Sequence, residues 1–475
     1  MSKSRSMAWD SAEQFWAAAE VGDAHLGDAR LVRRLAHIAE CLSENPEESI
    51  PGVFGGSSDT TKAVYRFFDN DGVDPDEILK AHRRATQRRI AAAACPMVLV
   101  VQDTTQFDFT KHHAIQGLGA TGAPGLSGFF LHSALCLEPS AGIPLGLLDW
   151  HWWVRDAEPA DGGDRQEKRR RKRRIEEKES HRWLEALDRS TAEVPAGVRT
   201  LTIADREADI FEFFDHARQH GQEVLVRAHH DRSVVRAGEI QGLWDAALAS
   251  EPLGVYMFRL PRGPRQPERQ AMATLQVTEV TMRPPKHLAA RRLAPLTIRA
   301  ILLQEIDAPA DQEPVQWLLL TSLSVNSAEE AAQCVVWYTY RWSIERFHFT
   351  LKSGGNYEKL QLQTADRLWR ALATYLVVAW RLLYINLVAR SHPDAPCTTF
   401  LTQDEWQALW SHRHQTVIPP NEPPPDARTA VRWIAQLGGF LGRKGDGEPG
   451  VKTLWRGFRR LQDLVEMWRI THPRE

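Results

Sequence analysis

Cysteine is scarce in this chain, and the five at positions 41, 95, 136, 334 and 397 are widely spaced with no CxxC. That spacing argues against a disulfide framework or a zinc site and fits ordinary buried thiols in a reducing compartment. Long apolar runs are missing too. No N-terminal run resembles a signal peptide, and no stretch reaches the roughly 18 apolar residues of a membrane span. The segment from Tyr375 to Val388 comes nearest but is interrupted by Arg381, so it reads as a core helix of a cytosolic protein with no membrane partner. Net charge is almost absent: 59 lysines and arginines stand against 61 acidic residues, giving a formal charge of −2 and a pI near 6.8. Whole-chain charge therefore gives no support for a nucleic-acid partner. It does not exclude one, since acidic metal ligands lower the total and recognition depends on where the positive charge sits. The glycine-rich stretch from Gly117 to Gly128 also lacks the lysine of a GxxxxGK[ST] phosphate loop.

What is present has a globular composition, 43% hydrophobic and 25% charged, in 475 residues, which is too long for one core. Residues 1–94 read as helical. Gly27-Asp28 caps a helix carrying Arg30, Arg33 and Arg34, Asp59-Thr60-Thr61 caps a second through Phe68, and Asp74-Pro75 starts a third that carries His82, Arg83, Arg84, Arg88 and Arg89. Such basic helices form either a DNA-contacting head or a cap over the core. Residues 95–228 begin an α/β core, in which the apolar run Val98 to Val101 predicts a central strand delivering Asp103 and Thr104 at or just beyond its end. Strands are expected at Phe129–Leu137, Ile143–Trp150, Val198–Ala204 and Val224–Val226, the last beside Arg227. The seven basic residues at 168–174 are bracketed by glutamates and read as either a phosphate-tracking segment or a solvated helical surface. Residues 229–315 read as an inserted, mainly β subdomain, and 316–390 return to the core with a strand at Gln316–Leu323 and a long helix. Five prolines in 418–426 mark a linker within a helical C-terminal region, 391–475, suited to docking on a second subunit or on DNA. The fold class is thus α/β, a mixed-sheet core with an inserted β subdomain and helical regions at both ends.

The chemistry concentrates between Trp317 and Lys352. On one continuous helix with Tyr338 at zero, Arg341, Glu345 and Lys352 fall at about 300°, 340° and 320°, opposite an apolar face of Val336, Tyr340, Ile344, Phe347 and Leu351. Taken alone, Glu345 could simply pair with Arg341. Asp103 and Asp205, each at the end of an apolar strand, change that reading. Three converging carboxylates repel unless cations sit between them, and hard oxygen ligands without thiols favour Mg²⁺, with Mn²⁺ as substitute. Two ions per site, about 4 Å apart, would serve in-line displacement at phosphorus. Tyr338, Arg341 and Lys352 would then grip phosphate near the scissile bond. Asp209, one turn after Asp205, is expected to orient Arg206 or cap its helix.

These residues resemble the IS4-type DDE transposase family. The resemblance is carried by Asp205-Arg-Glu-Ala-Asp209, Asp103-Thr104-Thr105, the Tyr338, Arg341, Glu345, Lys352 spacing, Leu26-Gly27-Asp28-x-Arg30, Ala63-x-Tyr65-Arg66-Phe67, Trp152-Trp153, Trp317-Leu-Leu-Leu-Thr321 and Leu437-Gly438-Gly439-Phe440-Leu441. It implies a ribonuclease H-like core and a helical N-terminal DNA-binding region. It also implies a C-terminal dimerisation region and Asp103, Asp205 and Glu345 as metal-binding catalytic triad. It further implies excision by nicking, hairpin formation and hairpin opening inside a synaptic homodimer, followed by joining of element ends to target DNA in the cytoplasm, at the nucleoid. Trp317 resembles the tryptophan associated with the flipped base, and Arg227 a basic residue near the element end, while Arg30 lies in the N-terminal DNA-binding stretch. The long basic run at 168–174 and the acidic pI depart from the family pattern. Other readings of the same triad are a metal-dependent endonuclease that cuts without joining, or a regulator derived from a transposase. Loss of an acid would favour the regulator, and all three acids are present.

Overall fold

The apolar run at Val98 opens strand β1 (Met97–Asp108), whose first residues are buried on both faces. The computed structural model describes residues 16–472 apart from 47, 55, 123–124, 156–173, 261–267, 311, 420 and 444. Residues 168–173 of the basic run thus lie outside the described residues. Around β1 stand β2 (Gly119–Ala120), β3 (Ser127–Leu137), β4 (Pro144–Trp153), β5 (Arg199–Ala204) and β6 (Glu223–Arg227). The order is β4-β3-β1-β5-β6, antiparallel from β4 to β1 and parallel from β1 to β6. This mixed core, flanked by helical regions at both ends of the chain, is consistent with a ribonuclease H-like fold.

The sheet does not stop at β6. β7 (Ser233–Arg236), β8 (Glu239–Gly242), β9 (Pro252–Leu260), β10 (Arg269–Met282) and β11 (Leu296–Ile306) join it through β12 (Gln316–Thr321), which pairs antiparallel with β6 on one side and β11 on the other. Among the described residues this makes one sheet of 12 strands.

Of the 14 α-helices among the described residues, the N-terminal five are α1 (Trp16–Val21), α2 (Ala29–Glu44), α3 (Ile50–Val53), α4 (Ser58–Phe68) and α5 (Pro75–Ala93). The next five are α6 (His181–Ala192), α7 (Phe211–Gln219), α8 (Leu243–Leu248), α9 (Ala328–Thr339) and α10 (Trp342–Phe349). The last are α11 (Ala365–Ser391), α12 (Gln403–His414), α13 (Ala427–Leu437) and α14 (Val451–Thr471). Strand alternation divides the core. Ala204, Val224 and Val226 pack on Trp183 and Leu184 of α6 and on Phe211, Phe213 and Phe214 of α7. Leu99, Val101, Leu201, Ile203 and Leu225 face the opposite cluster, which includes Ile344 and Phe347 of α10 and the centre of α11. The most apolar window of α11 is 89% buried within the protein, as a core helix requires.

Asp74 caps α5 through the Asp76 N–H at 2.9 Å, with Pro75 in the first turn, as the sequence predicts. Its basic residues, however, turn to internal partners. Arg83 pairs with Glu193 at 3.0 Å and Arg84 with Asp23 at 3.0 Å, while Arg89 and the fully buried His82 share Glu20. Helix α5 therefore fastens the N-terminal helices to the core, and the cap reading holds for it.

The single helix expected across Tyr338 to Lys352 is three pieces. α9 ends at Thr339, and a tight turn follows in which the N–H groups of Ser343 and Ile344 reach three residues back, to Tyr340 and Arg341. α10 then gives way to a π turn over Thr350–Gly354. Hydroxyl back-bonds mark both breaks: Thr339 Oγ1 donates to the Val336 carbonyl at 2.6 Å and Thr350 Oγ1 to the Arg346 carbonyl at 2.8 Å. Gly354 belongs there because a Cβ would meet the Trp455 ring of α14 at 2.4 Å.

Candidate active site

The register of β1 on β5 aligns the two aspartates. The last paired residues are Val101 and Ile203, and the next residues on the same faces, two positions on, are Asp103 and Asp205. Asp103 is not at the end of its strand, as expected from sequence, but in the middle of it. β1 continues to Asp108 against β3, and only its pairing with β5 stops short. The strands separate there because β5 ends in a tight turn, Arg206–Ala208, capped by Asp205, whose carboxylate accepts the Glu207 N–H at 2.8 Å. Asp103 in turn accepts the Thr104 N–H at 2.8 Å.

Glu345 comes to this face from α10. Burial, reinforced by the Glu345 and Asp205 carboxylates, pushes the Asp103 carboxyl up to about 7. Glu345 is likewise raised by burial, against the pull of Arg341, whose guanidinium holds it at 2.5 Å. Arg341 is buried and feels Glu345, Asp103 and Asp205 together. Tyr338 is buried beside it, and its ring meets Trp317 edge-on at 5.4 Å. Arg227, which donates to the Gln316 carbonyl at 3.5 Å, lies over the Trp317 ring at 5.7 Å. Trp317 and Arg227 remain half-buried and so reachable. Lys352, displaced by the π turn, donates to the Gln106 carbonyl of β1 and sits 5.2 Å from the Phe107 ring. Arg30 stands apart, exposed at the start of α2 and paired with Asp28 at 2.8 Å.

Three further residues surround the group that sequence reasoning did not single out for it. His348, buried on α10, contacts Ser133 Oγ at 2.9 Å and has Nδ1 3.7 Å from Asp103. Burial lowers its pKa to about 3, so it is neutral at neutral pH. Arg182 of α6 donates to Thr104 Oγ1 at 2.9 Å and to Glu207 at 2.9 Å, tying the neighbours of both aspartates. Thr104 is also held by the buried His132 at 2.8 Å. The one available signal was the position of His348 three residues beyond Glu345. Asp209 does cap the Arg206–Ala208 turn, its N–H donating to the Arg206 carbonyl at 3.2 Å, but its carboxylate does not orient the Arg206 side chain: it accepts the N–H groups of His229 and His230 at 2.7 and 3.0 Å and pairs with Arg232.

The fit to a hard divalent cation rests on the donor set. All three acids offer oxygen only, their charges oppose one another, and Glu345 Oε2 is buried with no hydrogen-bond partner among the described residues. The three carboxylates are not closed into a ligand set, since Arg341 engages Glu345. Among the described residues, the group of metal-ligating atoms that does close within 4.8 Å is Asp188, His216 and His220, outside this triad.

Two stretches of the chain match family models. Residues 13–73 match a transposase DNA-binding model, spanning α1 to α4 and stopping before α5. Residues 377–473 match the transposase Tn5 dimerisation domain, from within α11 through α14. The matches support DNA binding by the N-terminal helices, homodimer formation by the C-terminal ones, and an enzymatic DNA-processing role for the chain. The carboxylates and their cationic neighbours lie in the interval between the two. With a match at either end of the chain, the comparisons support its assignment, at the family level, to the IS4 or Tn5-type DDE transposases.

Proposed function

We propose that this chain is a Mg²⁺-dependent cut-and-paste transposase that excises an insertion element through a DNA hairpin and joins its ends to target DNA. The observation that carries this reading is the mutual electrostatic reach of Asp103, Asp205, Glu345 and Arg341 on one face of the core, between the two transposase matches. Asp103, Asp205 and Glu345 would hold two ions. When bound there, Mg²⁺ or Mn²⁺ supplies an activated water or 3′ hydroxyl and neutralises charge at the phosphorus. Arg341, released from Glu345, and Tyr338 and Lys352 grip the phosphates beside the scissile bond. Trp317 receives the base extruded during hairpin formation, and its stacking offsets the cost of unstacking, with Arg227 over its face to hold the adjoining phosphate. Arg30 and the N-terminal helices contact the element end.

In this reading residues 1–94 form the DNA-binding region, in which α5 fastens the DNA-contacting helices to the core, 95–228 and 316–390 form the ribonuclease H-like core, 229–315 the inserted β subdomain and 391–475 the dimerisation region. The substrate places the enzyme in the cytoplasm at the nucleoid. The test uses labelled duplexes taken from the DNA flanking the gene, Mg²⁺, and wild type beside Asp205→Ala. The reading expects nicked, hairpin and joined products from the wild type alone. Equal cleavage by both proteins would remove the triad assignment, and cleavage with no hairpin or joined product would make the chain an endonuclease.

A further inference from the structure

Helices α6 and α7 lie together on one face of the sheet, and near their far ends Asp188, His216 and His220 bring one ligand atom each to within 4.8 Å of the others. His216 and His220 are one helical turn apart, with ring centroids separated by 4.2 Å. His216 Nε2 is 2.8 and 2.9 Å from the two Asp188 oxygens. His220 Nδ1 lies 2.9 Å from the His216 carbonyl oxygen, to which it can only donate, so its Nε2 keeps the free lone pair. Gln222 donates to Asp188 Oδ1 at 3.0 Å, orienting that carboxylate, and its own Oε1 is buried without a donor among the described residues. An oriented imidazole and an oriented carboxylate are the supports that metal ligands commonly have. The C-terminal end of α7, where His220 sits, also carries the negative end of the helix dipole.

We infer that Asp188, His216 and His220 form a transition-metal site of the zinc class that cross-links α6 to α7. Two imidazole nitrogens and one carboxylate oxygen suit Zn²⁺, Co²⁺, Ni²⁺ or Cu²⁺ and suit Mg²⁺ poorly, so this site and the all-oxygen triad select different ions. Binding replaces the His216–Asp188 contact with bonds from both groups to one ion. Three protein ligands leave a tetrahedral ion one position for water, on the side where His220 is exposed. The two helices joined are the one that carries Arg182 and the one that follows the Asp205 turn, so the cross-link stiffens the surroundings of the carboxylates. The cysteines take no part. The inference stands apart from the triad reading and can fail without it.

The test is titration of untagged, chelator-treated full-length protein with CoCl₂ and then ZnCl₂, in excess Mg²⁺ to occupy hard oxygen sites. Expected are one equivalent of Co²⁺ per chain with a visible tetrahedral absorption band, its displacement by Zn²⁺, and a higher thermal midpoint with Zn²⁺. His220→Gln, at an exposed position, should weaken binding by about tenfold or more while leaving the metal-free midpoint unchanged. Gln222→Ala should weaken it by about 10- to 100-fold. No saturable Co²⁺ signal, or undiminished affinity in His220→Gln, would overturn the site.

Discussion

Gly457→Ala is the sharpest structural perturbation in the C-terminal region. A Cβ at Gly457 of α14 would lie 1.8 Å from the Ile434 carbonyl oxygen of α13, and the reciprocal Cβ at Gly438 would lie 1.9 Å from the Thr453 carbonyl oxygen. A carbon rests against a carbonyl oxygen at about 3.3 Å or more, so alanine forces the helices apart by over an ångström, and a backbone atom cannot rotate away. Two effects compete. Alanine is favoured over glycine within a helix by about 1 kcal/mol, whereas overpacking a close contact costs about 1–3 kcal/mol and occasionally more. The obstruction is backbone on backbone, so the steric cost should sit at the upper end. The expected net loss is about 2 kcal/mol. Urea unfolding followed by tryptophan fluorescence reads the stability, since Trp455 and Trp468 lie on α14 itself, and light scattering over a concentration series reads dimer formation. A midpoint equal to or above wild type would refute the close crossing.

Glu20→Gln should cost about 3 kcal/mol at neutral pH, because it breaks a buried ion pair and strands Arg89. Burial raises the Glu20 pKa, but Arg89 and His82 outweigh it and hold it at about 2 against an ordinary 4.5. Its contribution is therefore complete above pH 4.5 and lost as pH falls towards 2, so acid unfolding of the variant should be flatter across that window. Glu44 behaves oppositely: burial, with Glu405 and Glu40 adding to it, raises it to about 8. Stability is fully present below 4.5 and falls as pH rises to 8, so Glu44→Gln should be more stable than wild type at pH 8 by on the order of 1 kcal/mol and little changed at pH 5. Equal thermal midpoints at pH 8 would count against that environment. Lys352→Ala should weaken binding to element-end DNA by about tenfold and lower the salt slope by about 1, read by fluorescence anisotropy at several salt concentrations. An unchanged slope would remove Lys352 from the phosphate contacts.

The strands were legible wherever apolar runs were long, because a strand buried on both faces needs such a run. Val98 to Val101 and Val224 to Val226 announced β1 and β6 in this way, and Leu201, Ile203 and Ala204 within Val198–Ala204 announced β5. β7, β8 and α8 were not, since four to six residues are too few to show a period. The helix carrying Glu345 was legible as a helix but not as a broken one. Thr339 and Thr350 turn their hydroxyls onto the backbone, a local choice that a helical wheel does not register. Charge was the least legible property. The arginines of α5 looked like a surface for DNA, and sequence spacing could not show that Glu20, Asp23 and Glu193 would come to meet them. Arg182 and His348 were missed for the same reason, because their partners, Thr104, Glu207, Ser133 and Asp103, lie on other elements.

Glu345→Gln, assayed in parallel for binding to duplexes from the DNA flanking the gene and for their cleavage in Mg²⁺, tests the central claim most directly. The substitution keeps the shape of the side chain and an oxygen for Arg341 but removes the charge offered to the ions. The account predicts binding within about threefold of wild type and cleavage reduced on the order of 1,000-fold or more. Cleavage at the wild-type rate would contradict it.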